Sequence, residues 1–467
     1  MSGPMVSTRL AELWERSKHP RPRAWVAAWT VFLLFSGQGL RYLLGIPLYT
    51  LLVIATVGVV LVSYRGFVRR VNVPPLVAMF TSLAALSVLW SQTRVVTALA
   101  AGVLAITTVI AVLVARGTSR GQFMAALYRG LQASLVVGVL FELFVAIVIR
   151  GPLAPLATDL SSVAKVDAAG QPIKWSQGLL FEGGPIQGFV GNRNPFAAIA
   201  LFAAIVAVIL LLERRVRPVD GYVTLALALL VHLLTESATV TVAGIYLAGL
   251  GIAALLIRRA RPSLKRRLSF AVLACTALVA VLTLKYRAEI FAMFDRSPDA
   301  SNRTRIWDEV VAHAWQRPEG WGYVGYWPIW EEPYRGIVDR VGVMATHAHN
   351  AFLDAWFQLG VIGAVLLLVM VVLSFGSAWR LVERAGFGDT YIPLGWAVLT
   401  AALALQALTE SRLLVEGGWF LLVVLYCSGP GVFTLSIVDP ELVHTGAPPG
   451  DAAQADDPVD VLTRRYP

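Results

Sequence analysis

Long apolar runs alternate with short polar loops along nearly the whole chain. A run of about 17 to 25 apolar residues can cross a hydrocarbon core of roughly 30 Å as a helix, and we count about twelve such runs. They lie near residues 24–44, 46–64, 74–91, 95–115, 123–149, 194–212, 221–234, 239–257, 268–285, 350–375, 391–409 and 417–435. The pattern predicts an all-α polytopic membrane protein with about twelve transmembrane helices.

Two places leave the number of spans open between about eleven and thirteen. Segment 221–234 is short for a span, and only Gly45 and Pro47 separate the first two runs. Composition supports membrane insertion, because 57% of residues are hydrophobic, 15% are charged and the mean hydropathy is +0.68. A typical globular domain is about one quarter charged.

The basic residues provide an independent prediction of topology. Arginine and lysine are retained in cytoplasmic loops, and alternate loops of this chain are rich in them. These loops contain Arg16, Lys18, Arg21 and Arg23; Arg65, Arg69 and Arg70; Arg116 and Arg120; Arg214, Arg215 and Arg217; Arg258 to Arg267; and Arg380 and Arg384. The intervening short loops hold single arginines, namely Arg41, Arg94 and Arg412. The net charge of +10 is therefore interpreted as a retention signal, with both termini cytoplasmic and no nucleic-acid partner.

This topology divides the chain into predicted regions. Residues 1–23 form a cytoplasmic N-terminal segment, followed by a retained first helix rather than a cleaved signal peptide. Residues 24–435 form the transmembrane domain, with outer loops at 150–193 and 286–348, and the Pro-, Ala- and Asp-rich residues 436–467 form a disordered cytoplasmic tail. The chain has no Gly-rich phosphate loop, which argues against an ATP-driven pump.

The longer outer loop contains a predicted amphipathic helix from Arg303 to Gln316. Its apolar stripe consists of Ile306, Trp307, Val310, Val311, Ala314 and Trp315. Such a helix either lies on the membrane surface or caps the bundle. The following Pro- and Gly-rich stretch predicts irregular backbone with five aromatic residues, Trp321, Tyr323, Tyr326, Trp327 and Trp330. An interfacial aromatic belt is favoured for them over a wall that stacks against sugars.

Candidate chemistry is concentrated where this loop meets the next span. His347, His349 and Asn350 lie at the mouth of the apolar run, and a neutral imidazole can accept a proton from an alcohol near neutral pH. If the helix begins at His347, then Asn350 and Asp354 share a face with it. Two histidines at a membrane boundary favour function over packing.

Arginines on the predicted outer side suggest an anionic ligand. Arg193 begins the sixth run, and Arg303 and Arg305 begin the loop helix. A guanidinium can hold two oxygens of one phosphate at once. The alternative for each arginine is a salt bridge to Glu182, Asp299 or Glu331. Neither outer loop has a D-x-D pair, so we predict no metal and expect arginine alone to meet phosphate charge.

Two other polar positions have weaker signals. His232 and Glu236 are one helical turn apart, as in some zinc sites, but an intramembrane hydrogen bond is favoured because no third ligand follows. Glu142 is a carboxylate within a predicted span, which makes it a pocket candidate without an assigned role.

Four motifs in this chain resemble the O-antigen ligase and O-antigen polymerase family. They are LSVLWSQT at 86–93, GNRNPFAAIA at 191–200, RTRIWDEVVAHAWQRPEGWGYVGY at 303–326 and THAHNAFLDAWFQLGVIGA at 346–364. Their order and the long loop before the last spans match as well. The histidine-asparagine motif followed by a Gly-rich helix is the most specific.

The resemblance implies a GT-C-like helical fold and a glycosyltransferase of the bacterial cytoplasmic membrane, with its active site on the extracytoplasmic side. Family members transfer a glycan from undecaprenyl diphosphate to an acceptor hydroxyl, without a metal or other cofactor. The implied partners are the lipid-linked donor, a glycan or lipid-glycan acceptor and membrane lipids. The implied diphosphate ligands are Arg193 with Arg303 or Arg305, and either His347 or His349 deprotonates or orients the acceptor. The supporting residues are Asn350, Asn192, Ser237, Trp307 and Asp354.

One departure from the family affects the phosphate site. Members often have a Ser-Arg pair at the outer start of the eighth span, whereas this chain reads TESATVT at 235–241 and keeps only Ser237.

Polymerase is favoured over ligase, because nothing in the sequence indicates a lipid A core acceptor. Two alternatives remain, a peptidoglycan-type lipid II polymerase using Glu182 or Asp299, and a transporter or flippase of lipid-linked sugars. A transporter would be expected to show two related halves, and we find no convincing internal repeat.

Overall fold

A computed structural model describes residues 22–68, 72–157, 173–286, 303–386 and 388–429, and helices dominate them. The helices are α1 (Pro22–Phe35), α2 (Gly37–Ser63), α3 (Arg65–Val68), α4 (Pro75–Leu86), α5 (Arg94–Gly117), α6 (Arg120–Phe144), α7 (Arg193–Leu212), α8 (Pro218–Thr235), α9 (Ala238–Arg259), α10 (Pro262–Lys285), α11 (Arg303–Gln316), α12 (Tyr334–Val341), α13 (Ala351–Arg384), α14 (Ile392–Ala407) and α15 (Glu416–Cys427). Backbone pairing of the β type in the described part is limited to an isolated bridge between Leu153 and Ser176. The prediction of an all-α protein is confirmed.

Apolar length supports a polytopic membrane protein. Seven of the described helices are long and apolar enough to cross a membrane: α2, α5, α6 with its extension to Ile149, α7, α8, α9 and α13. Four further apolar helices, α1, α4, α14 and α15, are shorter. The predicted apolar runs therefore lie on helices, but twelve full-length spans are not established.

The first two runs are divided differently from the prediction. A break at Ser36 separates α1 from α2, and α2 itself is interrupted at Gly45, where φ is +74°. Pro47 follows within the same helix and cannot donate a backbone hydrogen bond. The predicted boundary at Gly45 is therefore a kink inside α2. The break between the first two helices lies nine residues earlier, at Ser36.

Hydrogen bonds join neighbouring elements near both ends of the bundle. At one end of the bundle, hydrogen bonds join Arg23 to Ser63, Arg116 to Asn72, Arg120 to Ser428, and Arg258 to Asp389 and Thr390. At the other end, they join Arg41 to Glu416, Asn194 to Ser237 and Glu410, and Tyr323 to Leu414. Which end faces the cytoplasm remains a prediction.

Helix α11 has the bounds expected from the sequence, but its buried stripe is narrower. Ile306, Val310 and Ala314 are buried, whereas Trp315 is 71% exposed. The buried face packs on Phe357 of α13, within a small separate core that also includes α12. Helix α11 therefore lies against the bundle in the described structure, as the capping interpretation expects.

The aromatic residues after α11 do not form a common surface, which corrects both expectations for them. Tyr323 and Trp327 are each 2% exposed, and the Tyr323 hydroxyl donates to the Leu414 carbonyl at 2.7 Å. Trp330, by contrast, is exposed. Tight packing against the bundle, rather than a belt or sugar-stacking wall, explains the buried members of the group.

The loop after α11 fills a break in α13. Gly360 has a φ of +69°, and a Cβ there would meet the Pro318 carbonyl oxygen at 2.0 Å. The carbonyls of Phe357 and Gln358 accept hydrogen bonds from the backbone amides of Trp321 and Gly322 at 3.0 and 2.9 Å. Backbone groups freed by the break are therefore satisfied by protein, as a low-dielectric setting requires.

The two weaker candidates have structural roles. Glu142 accepts hydrogen bonds from the Ser176 hydroxyl and from the backbone amides of Gln187 and Gly188, and so anchors the segment that leads to α7. His232 Nε2 lies 3.2 Å from the Thr241 hydroxyl, and Glu236 is exposed. The hydrogen-bond interpretation of His232 is thus confirmed.

Candidate functional site

The two histidines lie in a loop before α13 and not on the helix itself. Asn350 is the N-cap residue, and its side chain accepts hydrogen bonds from the amides of Phe352 and Leu353 at 3.0 and 3.1 Å. His349 has a φ of +51°, which a helix cannot accommodate. The helix therefore does not begin at His347, because the asparagine cap fixes its start at Ala351, near the beginning of the predicted run at 350.

Asp354 fixes the position of this loop through hydrogen bonds. It is fully buried and accepts hydrogen bonds from the Ala348 amide at 3.2 Å and the Trp327 indole at 2.9 Å. Trp307 donates its indole N–H to the carbonyl of the same Ala348 at 2.9 Å. Asp354 and Trp307 therefore fix the peptide between the histidines, and Asp354 does not face the site alongside His347 as expected.

Glu410 lies at the centre of the site, although it is not among the residues predicted from the sequence. It follows α14, and its Oε2 lies 2.9 Å from His347 Nε2 and 3.2 Å from His349 Nδ1. The two imidazole rings are 4.1 Å apart between centroids. We refer to His347, His349 and Glu410 as the histidine–glutamate cluster.

The other carboxylate oxygen of Glu410 connects the cluster to two further elements. Its Oε1 accepts hydrogen bonds from Arg303 Nη2 at 3.1 Å and from Asn194 Nδ2 at 3.2 Å. The Ser237 hydroxyl donates to Asn194 Oδ1 at 3.0 Å. These contacts join the first residues of α7, α9 and α11 to the Glu410 carboxylate. Both oxygens of this carboxylate are hydrogen-bonded.

Electrostatics of the cluster favour an ionised glutamate beside a neutral histidine. Burial raises the pKa of Glu410, but hydrogen bonds from His347 and His349 outweigh it and hold the pKa well below its usual value. Burial lowers the pKa of His349, and the neighbouring His347 adds to this effect, while Glu410 opposes it incompletely. His349 is therefore available as a neutral base at lower pH than an ordinary histidine.

The ring nitrogens distinguish the two histidines, which the sequence could not do. His347 uses both nitrogens, because Nε2 contacts Glu410 and Nδ1 lies 3.1 Å from the Thr346 hydroxyl. His349 uses Nδ1 for Glu410, and its Nε2 has no hydrogen-bond partner among the residues described. With Nδ1–H donated to the carboxylate, His349 Nε2 carries a lone pair that can accept a proton.

The other predicted residues are placed as follows. Asn192 is the N-cap of α7, and its side-chain oxygen accepts a hydrogen bond from the backbone amide of Asn194 at 3.0 Å, so it helps to position Asn194. Arg193 is the partly buried first residue of the same helix. Arg305 is exposed, and no contact within the described residues joins it to the cluster. Arg303, one of the three predicted phosphate ligands, contacts the cluster through Glu410.

The salt bridges proposed as alternatives are not the ones observed. Arg303 pairs with Glu410, whereas Glu182 is exposed within a short 3-10 turn. Asp299 lies outside the described residues. Glu410 could have been noticed in the sequence, because it is an ionisable residue directly after an apolar run, in the same loop as Arg412.

Two histidines and a carboxylate are also a possible set of metal ligands. One ligand atom from each of His347, His349 and Glu410 lies within 4.8 Å of the others. Imidazole and carboxylate groups suit zinc. The guanidinium of Arg303 on the same carboxylate disfavours a cation there. The prediction that no metal is needed is not tested by these contacts.

A small pocket adjoins the cluster. Asn194 and Glu410 lie at its polar end, and α7, α9 and α14 form its walls. The apolar lining consists of Ala198, Leu201, Phe202, Val240, Ala243, Ala402 and Leu405.

Fold and site together define a polytopic helical membrane protein with a buried acid–base cluster at one end of the bundle. The O-antigen ligase family model matches residues 223–368, which include Arg303, both histidines and Asp354. The match is to the family that the sequence motifs resemble, so the resemblance is confirmed over this part of the chain.

A curated protein is similar to part of this chain. The exopolysaccharide production protein ExoQ of Rhizobium meliloti (strain 1021) is 27% identical over 287 residues, which cover 56% of this chain. The match spans 64% of the length of ExoQ.

Proposed function

We propose that this protein is a membrane glycosyltransferase that polymerises or ligates a cell-surface polysaccharide. It transfers a glycan from an undecaprenyl-diphosphate-linked donor to an acceptor hydroxyl at the outer face of the bacterial cytoplasmic membrane. The contact of Glu410 with both histidines carries the proposal. A carboxylate that orients an imidazole, with the second ring nitrogen unengaged, is an arrangement suited to general base catalysis.

In the proposed reaction, His349 Nε2 removes the proton of the acceptor hydroxyl. The acceptor oxygen then forms a bond with the anomeric carbon of the donor, and the bond from that carbon to the diphosphate oxygen breaks. Glu410 keeps the imidazole oriented and stabilises the imidazolium that forms. Direct displacement inverts the anomeric configuration. A positioned base contributes roughly a hundredfold to ten-thousandfold in rate.

Guanidinium groups supply the second part of the chemistry. The leaving diphosphate gains negative charge in the transition state, and preorganised positive groups stabilise that charge. Arg303 lies in contact with the cluster, and Arg193 begins the helix that brings Asn194 to it. Charge neutralisation by arginine makes a metal unnecessary in this proposal.

Reconstitution tests the function directly. The purified full-length protein is placed in liposomes with lipid-linked oligosaccharide, without nucleotide or ion gradient, and products are separated by length. Longer glycans and released prenyl diphosphate are expected, and H349A should abolish both. Movement of the substrate between leaflets without new product would instead support the flippase alternative.

Glu182 supplies a matched control for the carboxylate. E182Q should retain activity and E410Q should lose it if the acid–base cluster acts as proposed. Loss of activity in E182Q with an active E410Q would favour the peptidoglycan-type alternative and overturn the assignment of Glu410.

A further inference from the structure

The exposed side of α11 changes from polar to apolar along the helix. Arg305 and Asp308 are exposed near its beginning, whereas Trp315 is exposed near its end. Positions 308 and 315 are about two helical turns apart, so they lie on the same side of the helix. A large aromatic side chain that contributes little to the core usually serves an interface. The end of α11 therefore presents an apolar surface that its beginning lacks.

This apolar end lies beside the start of α13. The Trp315 ring meets the Trp356 ring edge to face, with 5.2 Å between the ring centroids and 86° between the ring planes. Trp356 lies near the beginning of α13, which is long and apolar enough to cross a membrane. Val361, Ile362 and Val365 follow on the same helix and are exposed, as expected of a helix that faces lipid. Trp315 therefore lies at the level where a spanning helix begins its apolar stretch.

A second spanning helix places the end of α11 at the same level. Arg317 Nη1 lies 3.5 Å from the carbonyl oxygen of Trp90, in the turn that precedes α5. Helix α5 is also long and apolar enough to cross a membrane. Leu89 and Val95, on either side of this turn, are 70% and 74% exposed. Two different helices thus locate residues 315–317 at the boundary of the apolar bundle.

The residue types at this end are those of a boundary between lipid and water. Tryptophan is enriched at this boundary, because its ring is apolar and its indole N–H is polar. Arg317 adds a guanidinium that can extend from an apolar level to lipid phosphates. Glu319 offsets its charge, since Glu319 Oε1 lies 3.8 Å from Arg317 Nε. Zwitterionic headgroups therefore suit this end of the helix, and an anionic lipid is not needed.

We propose that Trp315 and Trp356, together with Arg317, bind the phospholipid interface of the bilayer and anchor the end of α11 there. The first residue of the same helix, Arg303, contacts Glu410 of the histidine–glutamate cluster. The two ends of α11 are separated by about 18 Å, from the rise of an α-helix. Helix α11 thereby fixes the distance between the cluster and the bilayer surface. The anchor does not depend on the proposed reaction, because it rests on the contacts of α11 alone.

The depth of a spin label in the bilayer tests the anchor. Exposed Gln316 is replaced in Q316C, with C275S removing the exposed native cysteine, and the labelled full-length protein is reconstituted as one chain per phosphatidylcholine nanodisc. Electron paramagnetic resonance then compares collisions of the label with oxygen, which is enriched in lipid, and with a nickel chelate, which stays in water. The ratio of oxygen to nickel collisions should be at least about threefold higher for Q316C than for D308C, because interfacial groups lie about 5–10 Å into the headgroup and acyl boundary. D308C is the matched control, since Asp308 is exposed on the same helix.

Changing the tryptophan tests its role with the same label. In the Q316C background, W315S should lower the collision ratio to about that of D308C, whereas W315Y should retain it, because tyrosine also prefers the interface. Trp315 is exposed, so both variants should keep the melting temperature of the parent protein in detergent. Replacing phosphatidylcholine with phosphatidylglycerol should leave the ratio unchanged, because Glu319 offsets the charge of Arg317.

Four results would overturn the anchor. A label at position 316 that collides mainly with the nickel chelate would place the end of α11 in water, and an unchanged ratio in W315S would remove the tryptophan from the contact. Equal ratios for Q316C and D308C would show that the whole helix lies flat on the membrane. Protection from the nickel chelate that appears only when two chains share a nanodisc would assign Trp315 to an interface between copies.

Discussion

Glu410 Oε2 and His349 Nδ1 lie 3.2 Å apart, although 60 residues separate them in sequence. The contact brings the end of α14 to the loop before α13, and it orients the imidazole so that Nε2 remains unengaged by the described residues. Within the proposed function, this geometry makes His349 the base and Glu410 the residue that positions it.

Replacing the carboxylate of Glu410 should impair catalysis without unfolding the protein. E410Q keeps a hydrogen-bonding side chain of similar size but loses the charge that stabilises imidazolium. We expect kcat for glycan transfer to fall about a hundredfold or more, with a smaller change in KM. Steady-state assays with lipid-linked oligosaccharide measure both constants, and a retained melting temperature in detergent shows that the fold survives. A kcat within about twofold of the wild type would exclude Glu410 from the mechanism.

The pH dependence of transfer should follow the ionisation of His349. The base acts when neutral, so activity is lost as pH falls through the pKa of His349 in the protein. Burial and His347 lower that pKa, which places the acid limb below the usual histidine value of about 6.5. A pH profile of kcat/KM measures this limb.

Removing His347 should move the same limb in a defined direction. His347 contributes to the lowered pKa of His349, so H347A should shift the acid limb toward higher pH. H349A should remove the limb together with most of the activity. If the acid limb stays at the same pH in H347A but disappears in E410Q, a group other than His349 is responsible for it.

Asp354 should act through the loop rather than through the substrate. D354N weakens the acceptor for the Ala348 amide and the Trp327 indole, and an unsatisfied buried donor costs about 1–3 kcal/mol. We expect a lower melting temperature and a reduced kcat with an unchanged acid limb. Asp308, exposed on α11, provides the control, because D308N should match the wild type. A stable D354N with full activity would contradict this role.

The sequence predicted the helices better than the contacts between them. Apolar runs and polar boundaries define individual helices, so α11 and α14 fall where expected. Glu410 was missed because its role depends on the approach of α14 to a loop 60 residues away, which no local pattern encodes. Asp354 shares a face with His347 only if the helix begins at His347, and the Asn350 cap, which starts the helix at Ala351, removes that condition. Long-range packing, rather than local propensity, determines the site.

The break at Gly360 should be essential for the position of the loop that carries Tyr323 and Trp327. G360A forces a side chain into a backbone with φ +69° and places Cβ 2.0 Å from the Pro318 carbonyl oxygen. We expect destabilisation by about 1–3 kcal/mol, because both strain and a clash must be relieved. G376A is the matched control in the same helix, since a Cβ there meets nothing within 4 Å. Thermal unfolding in detergent compares the two variants. Equal melting temperatures would contradict the packing of this loop against α13.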